Sequence, residues 1–445
     1  MNNKNDNLFK GMFLTLIPLL LTNSLGILKY ITNTFLVGNF LGEKAISVLS
    51  NTFPITLIFY SIAIAFSTSV SVLISKTFYN KENKNNIKES NRISNTGHVF
   101  TIITSMIAAL TIYIFNDWIL NVLNTPSEIL YDSRVFLYLF AVSFVPNSLQ
   151  RNINESLRVL GKQNIPLIFV GINVFLNNII LYLLILSNYG IISIAIANLI
   201  SDIIILLISY IYIRHHEVLK LDSRYLRIDK YIFKDICNIG LPIVFEHITV
   251  SLIIFFETSI SNFGGLVSNS AFGIVGRWEE IFFVFSQSIQ SLMIIYISRY
   301  YSDRDKRMIP LIIRYGIMLS ILPIIILISI AFVFTKPACR IFIKNDDIVS
   351  IAAKYFHIAG IAYCIMPLDM IFNGFIIGTS KTRFLFVTNI IASLVEVSVV
   401  IVLYLVMNYD NMFALGCGIV MYTLLTTVLN LLYYLKDMFY NVERT

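Results

Sequence analysis

"KYITNTFLVGNFLG", Lys29 to Gly42, closes the first long apolar stretch of the chain, and its ending returns in the second half. "NFLG" at 39–42 falls on "NFGG" at 262–265, and "ISKTFYNKENK" at 74–84 falls on "ISRYYSDRDKR" at 297–307, both at an offset of 223. Two matches at one offset hold the register across a whole helix. The stretch therefore marks the same point in two copies of one unit.

Working outward, Pro18 in "TLIPLL" pairs with Pro242 in "NIGLPIV" at an offset of 224, and Gly161 in "RVLGKQNIP" pairs with Gly378 in "FIIGTSKTRF" at 217. Hydrophobic residues make up 57% of the 445 and charged residues 13%, against about 45–50% and about 25% in soluble domains. A helix needs roughly 20 mostly apolar residues to cross a bilayer. Twelve stretches qualify, near 12–37, 45–75, 95–116, 135–158, 165–187, 190–213, 236–261, 267–297, 309–335, 350–377, 384–407 and 412–435. The expected fold is an all-α integral membrane protein, six spans duplicated to twelve. Residues 1–213 form the first lobe, 214–234 a polar cytoplasmic linker and 235–445 the second lobe. An even number of spans returns each copy to its starting side, which gives the lobes parallel topology about an axis along the membrane normal.

The net charge of +7 is a topology signal rather than a sign of nucleic-acid binding. With the N-terminus in the cytoplasm, most of the 33 Lys and Arg residues fall on inner loops and tails. The exceptions are Lys44, Arg134, Lys336, Arg340 and Lys344 outside and Lys29, Arg277 and Lys354 within helices. Both termini are then expected to be cytoplasmic, with no cleaved signal peptide after the polar start "MNNKNDNLFK". The four cysteines are scattered singly and form neither a disulfide framework nor a metal pattern. His215 and His216 read as solvated linker residues, and His247 and His357 as core histidines. No Walker-type loop, HExxH or GxSxG is present, so neither an enzyme nor an ATP-driven pump is expected.

A charge at mid-bilayer costs at least about 2.5–3.5 kcal/mol on insertion scales, so intramembrane charges are functional candidates. Thr15, Pro18, Thr22, Gly26, Lys29 and Asn33 recur every three or four residues and form one stripe of the first helix. Lys29 either pairs with an acid or snorkels, or it contacts substrate. In the second lobe Glu246 and Glu257 share a face of the seventh helix. Arg277 and Glu280, beside Glu279, are neighbours in the eighth. Asp369 and Glu396 stand alone among apolar residues. Glu246, Glu257, Glu280, Asp369 and Glu396 are the candidates for cation coupling. Asp202, Arg151, Glu155 and Arg158 read as ion pairs at the inner mouth.

The residues resemble the multidrug and toxic compound extrusion transporters, within the wider group of oligosaccharide-lipid flippases. The likeness rests on "ITNTFLVGNFLGEKAISVLSNTFPI", "LISKTFYNKENKNN", "SLRVLGKQNIP" and "INVFLNNIILYLLILSNYGIISIAIANLIS", and on "NIGLPIVFEH", "ISRYYSDRDKR" and "NGFIIGTSKTR" in matching order. It implies two six-helix bundles around a central cleft that opens to either side in turn. It also implies export of organic, often cationic, small molecules driven by Na⁺ or H⁺, with no other cofactor. The aspartate that members commonly carry before the first-helix "VG" is Asn33 here. The fifth-helix aspartate would fall at Leu181 counted from Asn177, or at Tyr182 counted from Asn178. Glu246 and Asp369 resemble acids used for Na⁺ in some members but do not align with them residue for residue.

Lys29, Asn33, Asn177, Asn178 and Arg277 are therefore candidates for the substrate cleft, and the coupling acids are sought in the second lobe. The expected partners are a small-molecule substrate, a coupling cation and membrane lipids, with the chain a monomer in a bacterial cytoplasmic membrane. Two alternatives stay open: a flippase for a lipid-linked oligosaccharide or other anionic precursor, and a non-transporting membrane scaffold or receptor.

Overall fold

A computed structural model describes residues 2–41, 43–80, 85–122, 125, 127–214, 219–220, 229–302, 306–341 and 345–442. Most of the linker, with His215 and His216, lies outside the described residues. Twelve helices among them are long and apolar enough to cross a membrane. They are α1 (Asn2–Leu41), α2 (Glu43–Phe78), α3 (Asn86–Val122), α4 (Ser127–Val159), α5 (Asn164–Leu186), α6 (Ile192–Arg214), α7 (Lys230–Phe263), α8 (Gly265–Ser302), α9 (Ile309–Ile328), α10 (Asp346–Gly378), α11 (Arg383–Ile401) and α12 (Asn411–Val442). A short helix, Thr335–Arg340, precedes α10. In hydrocarbon the backbone must satisfy its own hydrogen bonds, which leaves helices as the solution for these apolar runs.

The duplication is visible in the packing. In the first half α4 packs on α2, α3 and α6, and α5 packs on α6; in the second α10 packs on α8, α9 and α12, and α11 packs on α12. Each half thus has a central helix, α4 or α10. Each of these two helices also carries an internal proline, Pro146 and Pro367. Turns repeat as well. α5 ends on Asn188 at φ 60° and the α11 hairpin on Asn408 at φ 55°, each followed by a tyrosine. Asparagine tolerates this left-handed backbone better than most residues. After α4 the left-handed residue is Gly161 at φ 78°, and after α10 it is Ser380 at φ 64°. The sequence pairing of Gly161 with Gly378 is therefore shifted by two residues. Gly378 instead ends α10 where an added Cβ would lie 3.2 Å from Ile297.

The helices group into two compact units, Ile17–Val244, and Met1–Leu16 with Phe245–Thr445. The packing boundaries fall within α1 and α7. In the first-half unit Gly240 of α7 lies against Phe66, an Arg92–Asp229 ion pair closes the linker end, and Asn95 donates to the Lys220 carbonyl at 3.1 Å. In the second-half unit the Thr15 and Tyr296 hydroxyls meet at 3.2 Å, and Phe9 packs on Tyr315. Each unit has its own apolar core. One is built around Phe136, Leu137, Phe140 and Phe144 of α4, the other around Tyr355, Phe356 and Tyr363 of α10.

α10 comes close to α8 at Gly374. A Cβ there would lie 2.7 Å from the Met293 Cβ and 2.8 Å from the Gln290 carbonyl oxygen, and neither can swing aside. Gly374→Ala is expected to cost about 1–3 kcal/mol. A lowered melting temperature of the purified protein in detergent checks it.

Candidate functional site

Within the first-half unit the α1 stripe reaches α5 through Lys29. The Thr22 hydroxyl folds back on the Pro18 carbonyl at 2.6 Å, which satisfies it locally. Lys29 Nζ donates to Asn173 Oδ1 at 2.9 Å, and Asn173 Nδ2 donates to Asp202 Oδ1 at 3.0 Å. The second carboxylate oxygen of Asp202 accepts from Asn147 Nδ2 at 3.2 Å. An acid does answer Lys29, therefore, through one intervening amide and within the same unit.

Asp202 is buried on α6, and among the described residues no Lys, Arg or His nitrogen pairs with it. This corrects the expectation that it joins an inner-mouth ion pair. Arg158 and Glu155 do pair, at 2.6 Å. Sequence reading missed Asn173 and Asn147 because short amides on apolar helices carry no periodic signal of their own.

Asn177 is fully buried. Its Nδ2 donates to Asn198 Oδ1 at 2.9 Å and to Ser201 Oγ at 3.4 Å, while its Oδ1 has no partner. The Oδ1 atoms of Asn33 and Asn178 are likewise buried without a partner. Leu181, at one place where the resemblance expects an acid, is a buried core residue, and Tyr182, the other, is exposed. The Lys29 network of the first-half unit thus consists of a lysine, one acid and amides.

The acids gather in the second-half unit, at two levels of α7. At Glu246, Oε1 accepts from Asn373 Nδ2 at 3.3 Å, and Asn373 Oδ1 accepts from Gln290 Nε2 at 2.7 Å. Asp369, one turn before Asn373 on α10, accepts from Asn430 Nδ2 of α12 at 3.0 Å. About three turns further along α7, Glu257 is buried, as is Glu396 of α11, and the two carboxyl groups lie within electrostatic reach of each other. Two carboxylates this close and this buried repel each other unless a proton or a cation comes between them. Gly418 of α12 lets this face of α11 approach closely, since a Cβ there would sit 2.5 Å from Val400 and 3.3 Å from the Glu396 Cγ.

Glu279 joins this upper level, where it accepts from the Tyr363 hydroxyl at 3.1 Å. Tyr422 stands within electrostatic reach of Glu246, Asp369, Glu396 and Glu257, and its hydroxyl donates to Asn389 Oδ1 at 2.6 Å. It is the one side chain among these that both levels share.

Arg277 and Glu280 do not join the cluster. They pair with each other at 3.1 Å on the surface of α8, 52% and 49% exposed. Glu279, their neighbour, takes the inward position that the sequence reading gave to Glu280. Consecutive residues on a helix point about 100° apart, and the apolar residues on both sides of "WEE" give no register to choose between them. Asn389, Ser393 and Glu396 recur at helical spacing and could have announced the α11 face. Of the histidines, His357 bonds its Nδ1 to the Ala353 carbonyl at 2.6 Å. Among the described residues no three His, Cys, Asp or Glu side chains converge on a metal position.

A duplicated, all-helical, multi-pass architecture with buried polar networks in each half defines a membrane protein of the transporter class. The MatE family model matches residues 18–184 and 242–402, once in each half, and the chain belongs to this family of multidrug efflux transporters. A probable multidrug resistance protein, YoeA of Bacillus subtilis, is 26% identical over 361 residues, covering 78% of this chain and 76% of its own. The multidrug export protein MepA of Staphylococcus saprophyticus is 22% identical over 89% of this chain and 88% of its own. Among solved structures, a MATE transporter from Vibrio cholerae superposes with a TM-score of 0.90 at 16% identity, covering 98% of each chain. A MOP superfamily transporter from Pyrococcus furiosus, described by a reversed polarity of its binding pocket, superposes at 0.86 and 16% identity, over 96% of this chain and 94% of its own. At such identities the structures speak for the fold alone.

Proposed function

We propose that the chain is a secondary active exporter of organic, cationic small molecules, driven by inward Na⁺ or H⁺ through alternating access. Coupling falls to the second-half acids Glu246, Glu257, Glu279, Asp369 and Glu396. The observation that carries this reading is the buried Glu257–Glu396 pair. Two carboxyl groups held together in a membrane helix bundle bind a proton or cation by necessity, and a transporter needs an ion site whose affinity differs between its two states. The corresponding region of the first half offers neutral amides in place of acids.

On this reading the chain works as a monomer in a bacterial cytoplasmic membrane, with both termini inside. The Lys and Arg distribution supports the orientation, because cytoplasmic loops carry the basic excess.

Accumulation of a fluorescent organic cation in inverted membrane vesicles, under Na⁺, proton and electrical gradients imposed one at a time, tests the reading. Uptake driven by an outwardly directed Na⁺ or proton gradient is the expected result. The flippase reading predicts movement of an anionic precursor that follows membrane potential alone. The self-contained Arg277–Glu280 pair argues against it, since a basic cavity would keep that guanidinium unpaired. No gradient-driven movement of any solute would leave the scaffold reading standing.

A further inference from the structure

The opening turns of α1 rest on two helices of the second-half unit. Phe9 meets Tyr315 of α9 at 5.2 Å between ring centroids. A Cβ at Gly11 would lie 3.2 Å from the Tyr296 hydroxyl of α8, which the Thr15 hydroxyl also meets. Residues step by about 100° around a helix, so these contacts leave one arc of α1 uncovered. Lys10 stands on that arc between Phe13 and Leu14, and all three are exposed. On α9, Gly316 turns to α8, where a Cβ would lie 2.8 Å from the Met293 sulfur. The opposite arc of α9 is again exposed and carries Arg314, then Met318, Ile321 and Leu322.

As the first and ninth spans, α1 and α9 cross the membrane in the same direction. When two parallel helices touch through Phe9 and Tyr315, the residue after the first ring and the residue before the second turn to the same side. Lys10 and Arg314 therefore flank one seam, on the side away from α8, near the ends where the two spans begin at Leu8 and Ile309. Packed helices lie about 8–10 Å apart, a gap that lysine and arginine stems can close from both sides. Among the described residues neither cation belongs to an ion pair.

The duplication supplies a comparison. Phe233 and Lys234 repeat Phe9 and Lys10 at an offset of 224, and Phe233 packs on Phe100 of α3 at 5.0 Å. The residue before Phe100, in the place of Arg314, is Val99. The contact is repeated, but only the second-half unit sets a cation on each side of it.

We propose that the α1–α9 seam binds one anionic phospholipid at the membrane surface where α1 begins. Its phosphate sits between the Lys10 ammonium and the Arg314 guanidinium, and its acyl chains lie along Phe13 and Leu14 and along Met318, Ile321 and Leu322. Two unpaired cations heading two apolar columns follow the lipid's own order of headgroup and tails, and basic sites between membrane helices suit anionic headgroups. The bound lipid holds the opening turns of α1 on α9. This site is independent of the exported solute and of the driving ion.

The test gives the full-length protein in detergent equal concentrations of dioleoylphosphatidylglycerol, dioleoylphosphatidylcholine or inorganic phosphate, and reads its melting temperature. Phosphatidylglycerol should raise it by roughly 2–4 °C more than phosphatidylcholine, and inorganic phosphate should give no gain. Lys10→Gln and Arg314→Gln should each remove most of that difference, and the double variant all of it. Lys10→Arg should retain it, as should Lys234→Gln, which takes the cation from the repeated contact. The substituted side chains are exposed, so the variants should fold. Native mass spectrometry of the same samples reads the site even where a variant melts differently: one phosphatidylglycerol retained by the parent and none by the double variant. Equal responses of parent and double variant overturn the proposal. An equal loss in Lys234→Gln also overturns it, since that would mark a general attraction of basic surface for anionic lipid. A gain from inorganic phosphate as large as that from phosphatidylglycerol would put a soluble anion in the lipid's place and refute it likewise.

Discussion

Glu257→Gln is expected to cut gradient-driven export sharply while leaving the protein folded. Coupling between two ligands is a free energy of about 1–3 kcal/mol, or about 5–150-fold in affinity, and here it would be lodged in a carboxyl pair that must take up and release an ion. Glutamine keeps the shape but cannot exchange the charge. Export driven by an imposed gradient should fall by about 5–150-fold, whereas substrate binding to the detergent-solubilised protein should survive. Glu396→Gln should do the same, and the double variant should be no worse than either single one, as expected for residues that act as a unit. Glu280→Gln is the control. Its side chain is 49% exposed and pairs only with Arg277 on the same helix, so export should stay near the parent level. Full export in Glu257→Gln, measured in the same vesicles, would remove the pair from the coupling path.

Asp202→Leu should be among the most damaging single changes in the first half. The carboxylate satisfies Asn173 and Asn147 at 3.0 and 3.2 Å, and through Asn173 it answers the charge of Lys29. Leucine orphans two amide donors, at roughly 1–3 kcal/mol each, and leaves the ammonium without its counter-charge. A loss of about 3–5 kcal/mol follows, in line with breaking a buried pair by removing one partner. Combining it with Lys29→Met should restore part of the loss, because the two residues share one network. Strict additivity of the two melting-temperature shifts would show that Asn173 transmits nothing between them.

The candidate site was legible in part. Helical spacing marked the α1 stripe and named Lys29 and Asn33, and isolated charges in apolar runs named Glu246, Glu257, Asp369 and Glu396. The acid that answers Lys29 was in plain view as Asp202 but was assigned to the inner mouth. Depth along a helix can be counted from the sequence, whereas the neighbour it meets depends on how α1, α5 and α6 are rotated about their axes. The choice between Glu279 and Glu280 failed for the same reason. The bridging groups Asn173, Asn147, Asn373 and Tyr422 were invisible because a neutral polar residue in a membrane helix is common enough to carry no message alone.

What the sequence by itself determined is the scale of the fold. Apolar runs long enough for a bilayer leave the backbone no choice but helix, and a repeat at nearly constant offset makes twelve helices from two copies of six. The tertiary structure alone decided which polar side chains meet, since a hydrogen bond about 3 Å long depends on helix rotation and packing distance. The stretch at Lys29–Gly42 shows both halves of this. Its repetition at 262–265 fixed the duplication from letters, while the partner of Lys29 emerged only when α5 and α6 came to lie beside it.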